Sequence, residues 1–140
     1  LLDLYPTGIV SVVSDTWDLW KVLTEYLPAL KTKITERDGK LVIRPDSGDP
    51  VKIICGDPDA ECGSPQSKGV VGLLYDVFGG STNAQGFIEL DSHVGCIYGD
   101  SITLSARTHT STSLVIITVS PSRPRTRWST MRSTCCSKIL

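Results

Sequence analysis

The sequence lacks any apolar run long enough to cross a membrane, and it lacks a signal peptide. A membrane-spanning helix needs about 18 apolar residues in a row, and no stretch of this 140-residue chain reaches that length. The opening segment before Pro6 is too short for a signal peptide and contains Asp3. The chain opens at Leu1 rather than at a methionine, so we expect a piece of a longer protein or an incomplete gene model. These absences exclude a membrane-spanning helix within these 140 residues, and we expect a cytoplasmic protein.

The cysteines lack the spacing of a metal site. There are 5, an odd number, and no two of them form a Cys-x-x-Cys pair. The acidic segment from Cys55 to Cys62 resembles a metal loop, but Pro58 disrupts the register of a calcium-binding loop and no second cysteine pair completes four ligands. We therefore interpret this segment as an acidic surface loop, and we expect a reduced protein with free thiols.

Acidic residues are absent from the end of the chain. Residues 1–105 carry all 15 acidic and 8 of the 14 basic side chains, a net charge of −7, whereas residues 106–140 carry no acidic and 6 basic side chains. Residues 106–140 also lack Gly, Asn and Gln, and they contain 7 Ser, 7 Thr and 5 Arg. Such asymmetry indicates either a nucleic-acid-binding arm or a change of origin along the chain.

Two interpretations of this tail remain open. In one, it is a disordered basic arm in which Arg123, Arg125 and Arg127 contact phosphates. In the other, it is an out-of-frame translation, which we favour because the change is abrupt, interrupts a βα unit and includes Trp128. We therefore expect a partial α/β domain over residues 1–104 and a non-homologous, disordered or irregular tail over residues 105–140. The coding nucleotides around codon 105 would decide between the two interpretations.

Hydrophobic periodicity predicts alternating strands and helices. The predicted strands are Gly8–Ser14, Lys40–Arg44 and Val94–Tyr98, and the predicted helices are Trp17–Leu30 and Val70–Phe78. A turn is predicted at Asp38–Gly39, a loop over residues 55–69 and a short edge strand at Gly86–Leu90. We expect Asp15 or Thr16 to cap the first helix, Pro28 to bend or shorten it, and Trp17 and Trp20 to pack in the core. Repeated βα units with near-continuous apolar strands predict an α/β fold with parallel strands.

Each predicted strand is followed by an acidic loop, which contains Asp15, Asp46 or Asp100. In parallel α/β folds the carboxyl ends of the strands form the active face. Three carboxylates at one edge suit ribose hydroxyls, or Mg²⁺ carried by a phosphorylated substrate. Arg44 can hold a phosphate with two hydrogen bonds or stack on an aromatic ring, and Gly99 lets backbone N–H groups approach an anion.

A simpler interpretation is that the three acids are helix N-caps and that Arg44 forms a surface ion pair. For any single aspartate this alternative has about even weight, because aspartate is common at N-caps. Three acids in register, one of them two residues after an arginine, favour a ligand site over three independent caps.

Three segments resemble the nicotinamide phosphoribosyltransferase family, in its bacterial and phage branch. They are Ser11-Val12-Val13-Ser14-Asp15-Thr16-Trp17-Asp18, Leu41-Val42-Ile43-Arg44-Pro45-Asp46-Ser47-Gly48-Asp49-Pro50 and Ile97-Tyr98-Gly99-Asp100-Ser101-Ile102, in this order and spacing. The Ile-Arg-Pro-Asp-Ser-Gly motif is the most specific, and the resemblance covers about residues 5–104. It implies a fragment of a type II phosphoribosyltransferase α/β barrel, to which this piece contributes three strands.

The resemblance also implies a role for each site residue. Arg44 would lie against the nicotinamide ring and the ribose phosphate, and Asp46 would bind ribose hydroxyls. Gly99 and Asp100 would hold the ribose from the next strand. The resemblance further places Ser11 near the nicotinamide amide and Asp15 near the diphosphate and its substrate-borne Mg²⁺. The implied catalytic residues are thus Asp46, Arg44 and Asp15, with no protein-held metal ion.

The family reaction implied is the synthesis of nicotinamide mononucleotide from nicotinamide and phosphoribosyl pyrophosphate in NAD salvage. The resemblance implies a homodimer with the site at its interface, and ATP as a possible further substrate of the parent enzyme. The family's aromatic clamp and phospho-accepting histidine would precede Leu1, and its Gly-rich phosphate loop does not follow residue 104. We therefore expect this chain to be inactive alone. The alternatives are the nicotinate-specific branch and a non-catalytic α/β module with a basic nucleic-acid-binding tail.

Overall fold

The computed structural model describes residues 1–84, 86 and 88–99, so the predictions for Asp100 and for the tail lie outside the described residues. The strands are β1 (Thr7–Val13), β2 (Asp38–Arg44), β3 (Gly80–Thr82), β4 (Ile88–Leu90) and β5 (Val94–Cys96). The helices are α1 (Leu19–Lys21), α2 (Leu27–Ala29), α3 (Lys31–Thr35), α4 (Pro50–Cys55) and α5 (Pro65–Phe78), with a π-helical turn (Val22–Tyr26) between α1 and α2.

The main sheet has the order β1-β2-β5, and both of its strand pairs are parallel. Val10 pairs with Leu41, and Leu41 pairs with Val94. Two residues further along the strands, Ile43 pairs with Cys96 on the same face of the sheet. The predicted α/β fold with three parallel neighbours is therefore confirmed. The predicted turn at Asp38–Gly39 is wrong, because the ladder to β1 extends over both residues and overrides their local turn preference.

The core lies on one face of this sheet. Leu41 and Ile43 contact an apolar cluster to which the helices contribute Leu23, Val70 and Leu74, all at most 1% exposed. The opposite face of β1 is open to solvent: Ile9 is 64% exposed, Val13 is 42% exposed and Ser11 is also exposed. Because side chains alternate along a strand, β1 therefore separates a buried apolar face from an accessible one.

The first helix begins later than the pattern predicts. Its N-cap is Asp18, whose carboxylate accepts a hydrogen bond of 3.0 Å from the Lys21 N–H, so the predicted caps at Asp15 and Thr16 are wrong. The helical phase that starts at Leu19 buries Leu19, Leu23 and Leu27. Trp17 lies before the cap and is 95% exposed, which contradicts its predicted place in the core, whereas Trp20 packs partly buried against the core.

Pro28 disturbs this helix as predicted, through a widened turn. Proline has no N–H, and its ring collides with the carbonyl group four residues earlier in a regular α-helix. The preceding turn is π-helical, and the Leu27 N–H bonds to the Val22 carbonyl oxygen. The helix then breaks at Leu30, where φ is −98° and ψ is 3°, before α3 begins. The four short elements form one interrupted helix.

The segment predicted as a loop over residues 55–69 is partly helical. Helix α4 ends at Cys55 and was not predicted, although Asp49 as its N-cap and Pro50 at its first position are typical start signals. Helix α5 begins at Pro65, earlier than predicted, and is kinked at Gly69. The predicted edge strand is shorter, and it pairs antiparallel with β3 in a separate two-stranded sheet. None of the helices in the described residues is long and apolar enough to span a bilayer.

Candidate functional site

The loops that follow the three parallel strands meet at one edge of the sheet. The backbone contacts continue beyond the strands: the Ser14 N–H donates to the Arg44 carbonyl oxygen at 3.2 Å, and the Ile97 N–H donates to that of Ile43 at 2.9 Å. The Gly99 N–H reaches the Pro45 carbonyl oxygen at 3.4 Å. The structure therefore brings the first two acidic loops together with the start of the third, as predicted, while Asp100 itself lies outside the described residues.

Asp15 binds the loop that follows the neighbouring strand. One oxygen of its carboxylate, Oδ2, accepts hydrogen bonds from the backbone N–H of Asp46 at 2.8 Å, from the N–H of Ser47 at 2.8 Å and from the Ser47 hydroxyl at 2.6 Å. The other oxygen, Oδ1, is buried and has no hydrogen-bond partner in the described part of the chain. Burial raises the pKa of Asp15, but the donors from Ser47 and Asp46 outweigh it and hold the pKa below its usual value. Asp15 is therefore a carboxylate anion at neutral pH.

Arg44 lies at the end of β2 with its guanidinium group against Gly99. A Cβ atom placed on Gly99 would come within 2.5 Å of both Nε and Nη2 of Arg44, so a side chain at position 99 is incompatible with this placement. Arg44 is partly buried, and its guanidinium makes no hydrogen bond or ion pair with any residue that the structure describes. The guanidinium group is therefore positioned by packing, while its N–H donors remain available to a ligand.

Asp46 follows two residues after Arg44 and is partly buried. Its backbone N–H is held by Asp15, while its carboxylate forms neither a hydrogen bond nor an ion pair within residues 1–84, 86 and 88–99. An unpaired arginine and an unpaired carboxylate thus leave the same strand end. Together they can bind a ligand that carries both an anionic group and hydroxyl groups.

Ser11 lies on the same face of the sheet as Arg44. Val13 pairs with Arg44 in the parallel ladder, and Ser11 precedes Val13 by two residues, so alternation directs Ser11 and Arg44 to the same side. That side is the open face of β1, where Ser11 is exposed. The geometry gives the two side chains a shared surface.

Sequence reasoning missed two residues that hold the Asp46 loop. Ser47 donates to Asp15, and the hydroxyl of the buried Tyr98 donates to the Gly48 carbonyl oxygen at 2.7 Å. A tyrosine on a predicted buried strand needs a partner for its hydroxyl, and this was an available signal. No local pattern identifies Gly48 as that partner, because the two residues are 50 positions apart.

The weaker candidates make other contacts. His93 precedes β5 at the opposite end of the sheet, where its Nδ1 is 2.7 Å from the Asp91 carboxylate. In the acidic segment, Asp57 and Asp59 form ion pairs with Lys52 of α4, at 3.1 Å and 3.2 Å. Cys96 is a buried thiol, and burial together with the nearby Cys55 raises its pKa to about 12. Among the described residues, no group of three or more His, Cys, Asp or Glu side chains could hold a metal ion.

Comparison with known proteins supports the resemblance of the three motifs. The nicotinate phosphoribosyltransferase (NAPRTase) family matches residues 7–114, a range that extends past the boundary predicted at residue 104. A nicotinamide phosphoribosyltransferase of Acinetobacter baylyi is 58% identical over 110 residues, covering 74% of this chain and 22% of the relative. The protein of that name from Mycoplasma pneumoniae is 37% identical over 103 residues, covering 74% of this chain and 23% of the relative. The protein of that name from Xanthomonas campestris pv. campestris is 36% identical over 98 residues, covering 69% of this chain and 18% of the relative.

The chain spans about a fifth of the length of the curated relatives that it matches. The family match covers most of the chain and includes the strand ends at Asp15, Arg44 and Gly99. The predicted family resemblance is confirmed, and the chain belongs to the nicotinate phosphoribosyltransferase family.

Proposed function

We propose that this chain is a segment of an enzyme that makes nicotinamide mononucleotide from nicotinamide and phosphoribosyl pyrophosphate, a reaction of NAD salvage. The observation that carries the proposal is the pair of Arg44 and Asp46 at one strand end, both without a side-chain partner among the described residues. The relatives carry the name of this activity. The sheet would be one part of a phosphoribosyltransferase barrel that the remainder of the protein completes.

In this reaction the pyridine nitrogen forms a bond to C1 of the ribose while the bond from C1 to pyrophosphate breaks. Positive charge develops on the ribose in an oxocarbenium-like transition state. We assign to Asp46 the binding of ribose hydroxyls, and to Arg44 contact with the phosphate and the nicotinamide ring. A fixed carboxylate beside the ribose stabilises the developing charge electrostatically. Gly99 and Asp100 are proposed to hold the ribose from β5, and Ser11 the amide.

Magnesium enters this proposal as part of the substrate. The diphosphate of phosphoribosyl pyrophosphate carries Mg²⁺, which prefers oxygen ligands and keeps part of its water shell. Asp15 retains one oxygen without a hydrogen-bond partner in the described chain, and the Asp46 carboxylate is available at the same edge. These oxygens fit a diphosphate that brings its own cation, and we propose that Asp15 lies near this group.

The remaining partners are also proposals. We propose that the complete protein is a cytoplasmic homodimer with the site at the subunit interface, and that it uses ATP only if the rest of its chain supplies a phospho-accepting histidine. A light-scattering measurement of the complete protein would test the dimer. The tail over residues 105–140 is not assigned a role in the reaction.

The nicotinate-specific reaction is the second candidate. The matching family is named for nicotinate, whereas the similar relatives are named for nicotinamide. We favour nicotinamide because one of those relatives, from Acinetobacter baylyi, is 58% identical over a segment that contains Arg44 and Asp46. A test of both bases on one protein separates the two candidates.

The test uses a chimera in which the matching segment of this chain replaces its counterpart in the Acinetobacter baylyi relative. We expect the chimera to form nicotinamide mononucleotide from nicotinamide and phosphoribosyl pyrophosphate within about tenfold of the unaltered relative. The unaltered relative is the control for the assay, and circular dichroism checks that the chimera is folded. Preference for nicotinic acid would favour the second candidate, and a folded chimera inactive on both bases would reject the proposed function.

A further inference from the structure

The loop that carries Asp46 is anchored at two points by distant residues. Asp15 contacts it at Asp46 and Ser47, and the Tyr98 hydroxyl contacts it at Gly48. Both anchors come from the loops or ends of the flanking strands β1 and β5, so the sheet order determines them. The position of the loop therefore depends on tertiary contacts in addition to the β2 ladder.

The hydrogen bonds between Asp15 and this loop all go to one carboxylate oxygen. A single carboxylate oxygen accepts three hydrogen bonds of 2.8 Å or less, from two successive backbone N–H groups and one hydroxyl. Hydrogen bonds to an ionised acceptor are about twice as strong as neutral ones. The donors fix the plane of the peptide bonds on both sides of the Asp46 Cα atom, and this sets the direction in which the Asp46 side chain leaves the backbone.

The Asp46 carboxylate has no bonded partner among the residues that the structure describes. That group makes no hydrogen bond or ion pair in the described part of the chain, so its orientation before substrate arrives follows from its backbone. Ser47 is exposed and donates to the same Asp15 oxygen that holds the Asp46 N–H. A change at Ser47 is therefore transmitted to Asp46 through Asp15.

We propose that Ser47 and Oδ2 of Asp15 act together as positioning residues that hold the Asp46 carboxylate in place for the ribose. This assignment rests on the proposed function for its catalytic consequence, while the contact itself does not depend on it. Asp15 then has two proposed roles, one in positioning Asp46 and one near the diphosphate. Ser47 has the positioning role alone. Positioning matters because a misplacement of about 1 Å can cost about a hundredfold in rate.

The experiment compares Ser47→Ala, Ser47→Thr, Asp15→Ala and the Ser47→Ala/Asp15→Ala double variant, all in the chimera. We expect Ser47→Ala to lower kcat about tenfold with the KM for nicotinamide unchanged, because Asp46 acts on the ribose and not on the base. Ser47→Thr retains the hydroxyl and should recover most of the activity. The double variant should be no slower than the slower single variant, because both changes remove the same contact.

A second measurement does not need turnover. Hydrogen exchange at the backbone N–H groups of Asp46 and Ser47 should be slow in the unaltered chimera and at least about tenfold faster in Asp15→Ala. Ser64→Ala is the matched control: the Ser64 hydroxyl accepts from the Ser67 N–H at the start of α5. Its loss should lower stability without changing kcat or exchange at Asp46.

The outcomes separate this inference from the proposed function. Unchanged exchange at both N–H groups in Asp15→Ala would overturn it, as would full kcat in Ser47→Ala or additive effects in the double variant. If the unaltered chimera is inactive on both bases, the proposed function fails, and the exchange measurement alone still decides whether Asp15 holds the loop.

Discussion

The guanidinium group of Arg44 lies directly against the backbone of Gly99, at the ends of two neighbouring parallel strands. A Cβ atom on Gly99 would lie 2.5 Å from Nε and from Nη2 and 2.9 Å from Cζ. The glycine therefore creates the space that the arginine occupies. The arginine at the end of β2 and the glycine in the segment after β5 form a single structural unit at the edge of the sheet.

Gly99→Ala should displace Arg44 and lower kcat/KM for nicotinamide mononucleotide synthesis in the chimera by at least about tenfold. The physical reason is the overlap between the added methyl group and the guanidinium group. In an Arg44→Ala background the same change should cost less than about threefold, because the overlapping group is gone. Equal losses in the two backgrounds would show that Gly99 acts independently of Arg44.

Gly69→Ala should destabilise the fold much more than Gly63→Ala. Gly69 has φ of 70° and ψ of 170°, and a Cβ there would lie 2.7 Å from the Ile54 carbonyl oxygen and overlap the backbone of Gly56. Gly63 also has a positive φ, 84°, but a Cβ there meets no atom within 4 Å.

Comparing the two variants separates the cost of backbone strain, which both share, from the cost of steric overlap, which only Gly69→Ala has. We expect about 1–2 kcal/mol for Gly63→Ala from strain alone and more than about 3 kcal/mol for Gly69→Ala from strain and overlap together. Urea denaturation of the chimera and of both variants measures the difference. Similar losses at the two positions would contradict the close approach of α4 and α5.

The ionisation of Asp15 should make the stability of the fold dependent on acidic pH. Burial raises the pKa of this carboxyl, but the hydrogen bonds from Ser47 and Asp46 lower it further, so the folded-state pKa lies below the unfolded one. A depressed pKa contributes stability that is present above the unfolded value of about 3.9 and is lost as the pH falls through the folded value.

The Asp15→Asn variant isolates this contribution, because its amide does not titrate. The difference in free energy of unfolding between the chimera and this variant should stay constant from about pH 7 to about pH 5 and shrink below about pH 4. Chemical denaturation at each pH provides the measurement. A difference that stays the same down to about pH 3 would show that Asp15 has an unperturbed pKa.

The sequence predicted the sheet well because its signals are local. The β-branched runs that contain Val10, Leu41 and Val94 identify the strands, and the alternation with helices implies their parallel pairing. The strand-end positions of Asp15 and Asp46 follow from that topology. This part of the candidate site needs no knowledge of side-chain contacts.

The details that the sequence did not predict depend on distant partners or on helix phase. Ser47 bonds to Asp15, 32 positions away, and Arg44 packs against Gly99, so neither relationship has a local signature. Trp17 has the spacing of a core residue, but the helix is capped at Asp18, and this leaves the indole outside the helical face. The start of a helix decides which of several apolar residues is buried, and boundaries are the least reliable part of a sequence pattern.

The proposed reaction makes a direct prediction for the two side chains that leave β2. Arg44→Ala and Asp46→Ala should each lower nicotinamide mononucleotide synthesis by the chimera at least tenfold, a loss of at least about 1.4 kcal/mol of transition-state stabilisation. Arg44→Lys should not restore the rate, because a lysine ammonium group lacks the planar fork that binds a phosphate through two parallel hydrogen bonds.

The rival hypothesis is a non-catalytic α/β module in which these residues only stabilise the edge of the sheet. It predicts lower stability with unchanged turnover per folded molecule, so the folded fraction of each variant must be measured beside its rate. The structure argues against that rival, since neither the Arg44 guanidinium nor the Asp46 carboxylate bonds to any described residue, and removing either breaks no hydrogen bond or ion pair among those residues. We further expect the 140-residue chain alone to form no product, because it spans about a fifth of its relatives. Measurable synthesis by this chain alone would show that the residues we assign are not the ones on which the reaction depends.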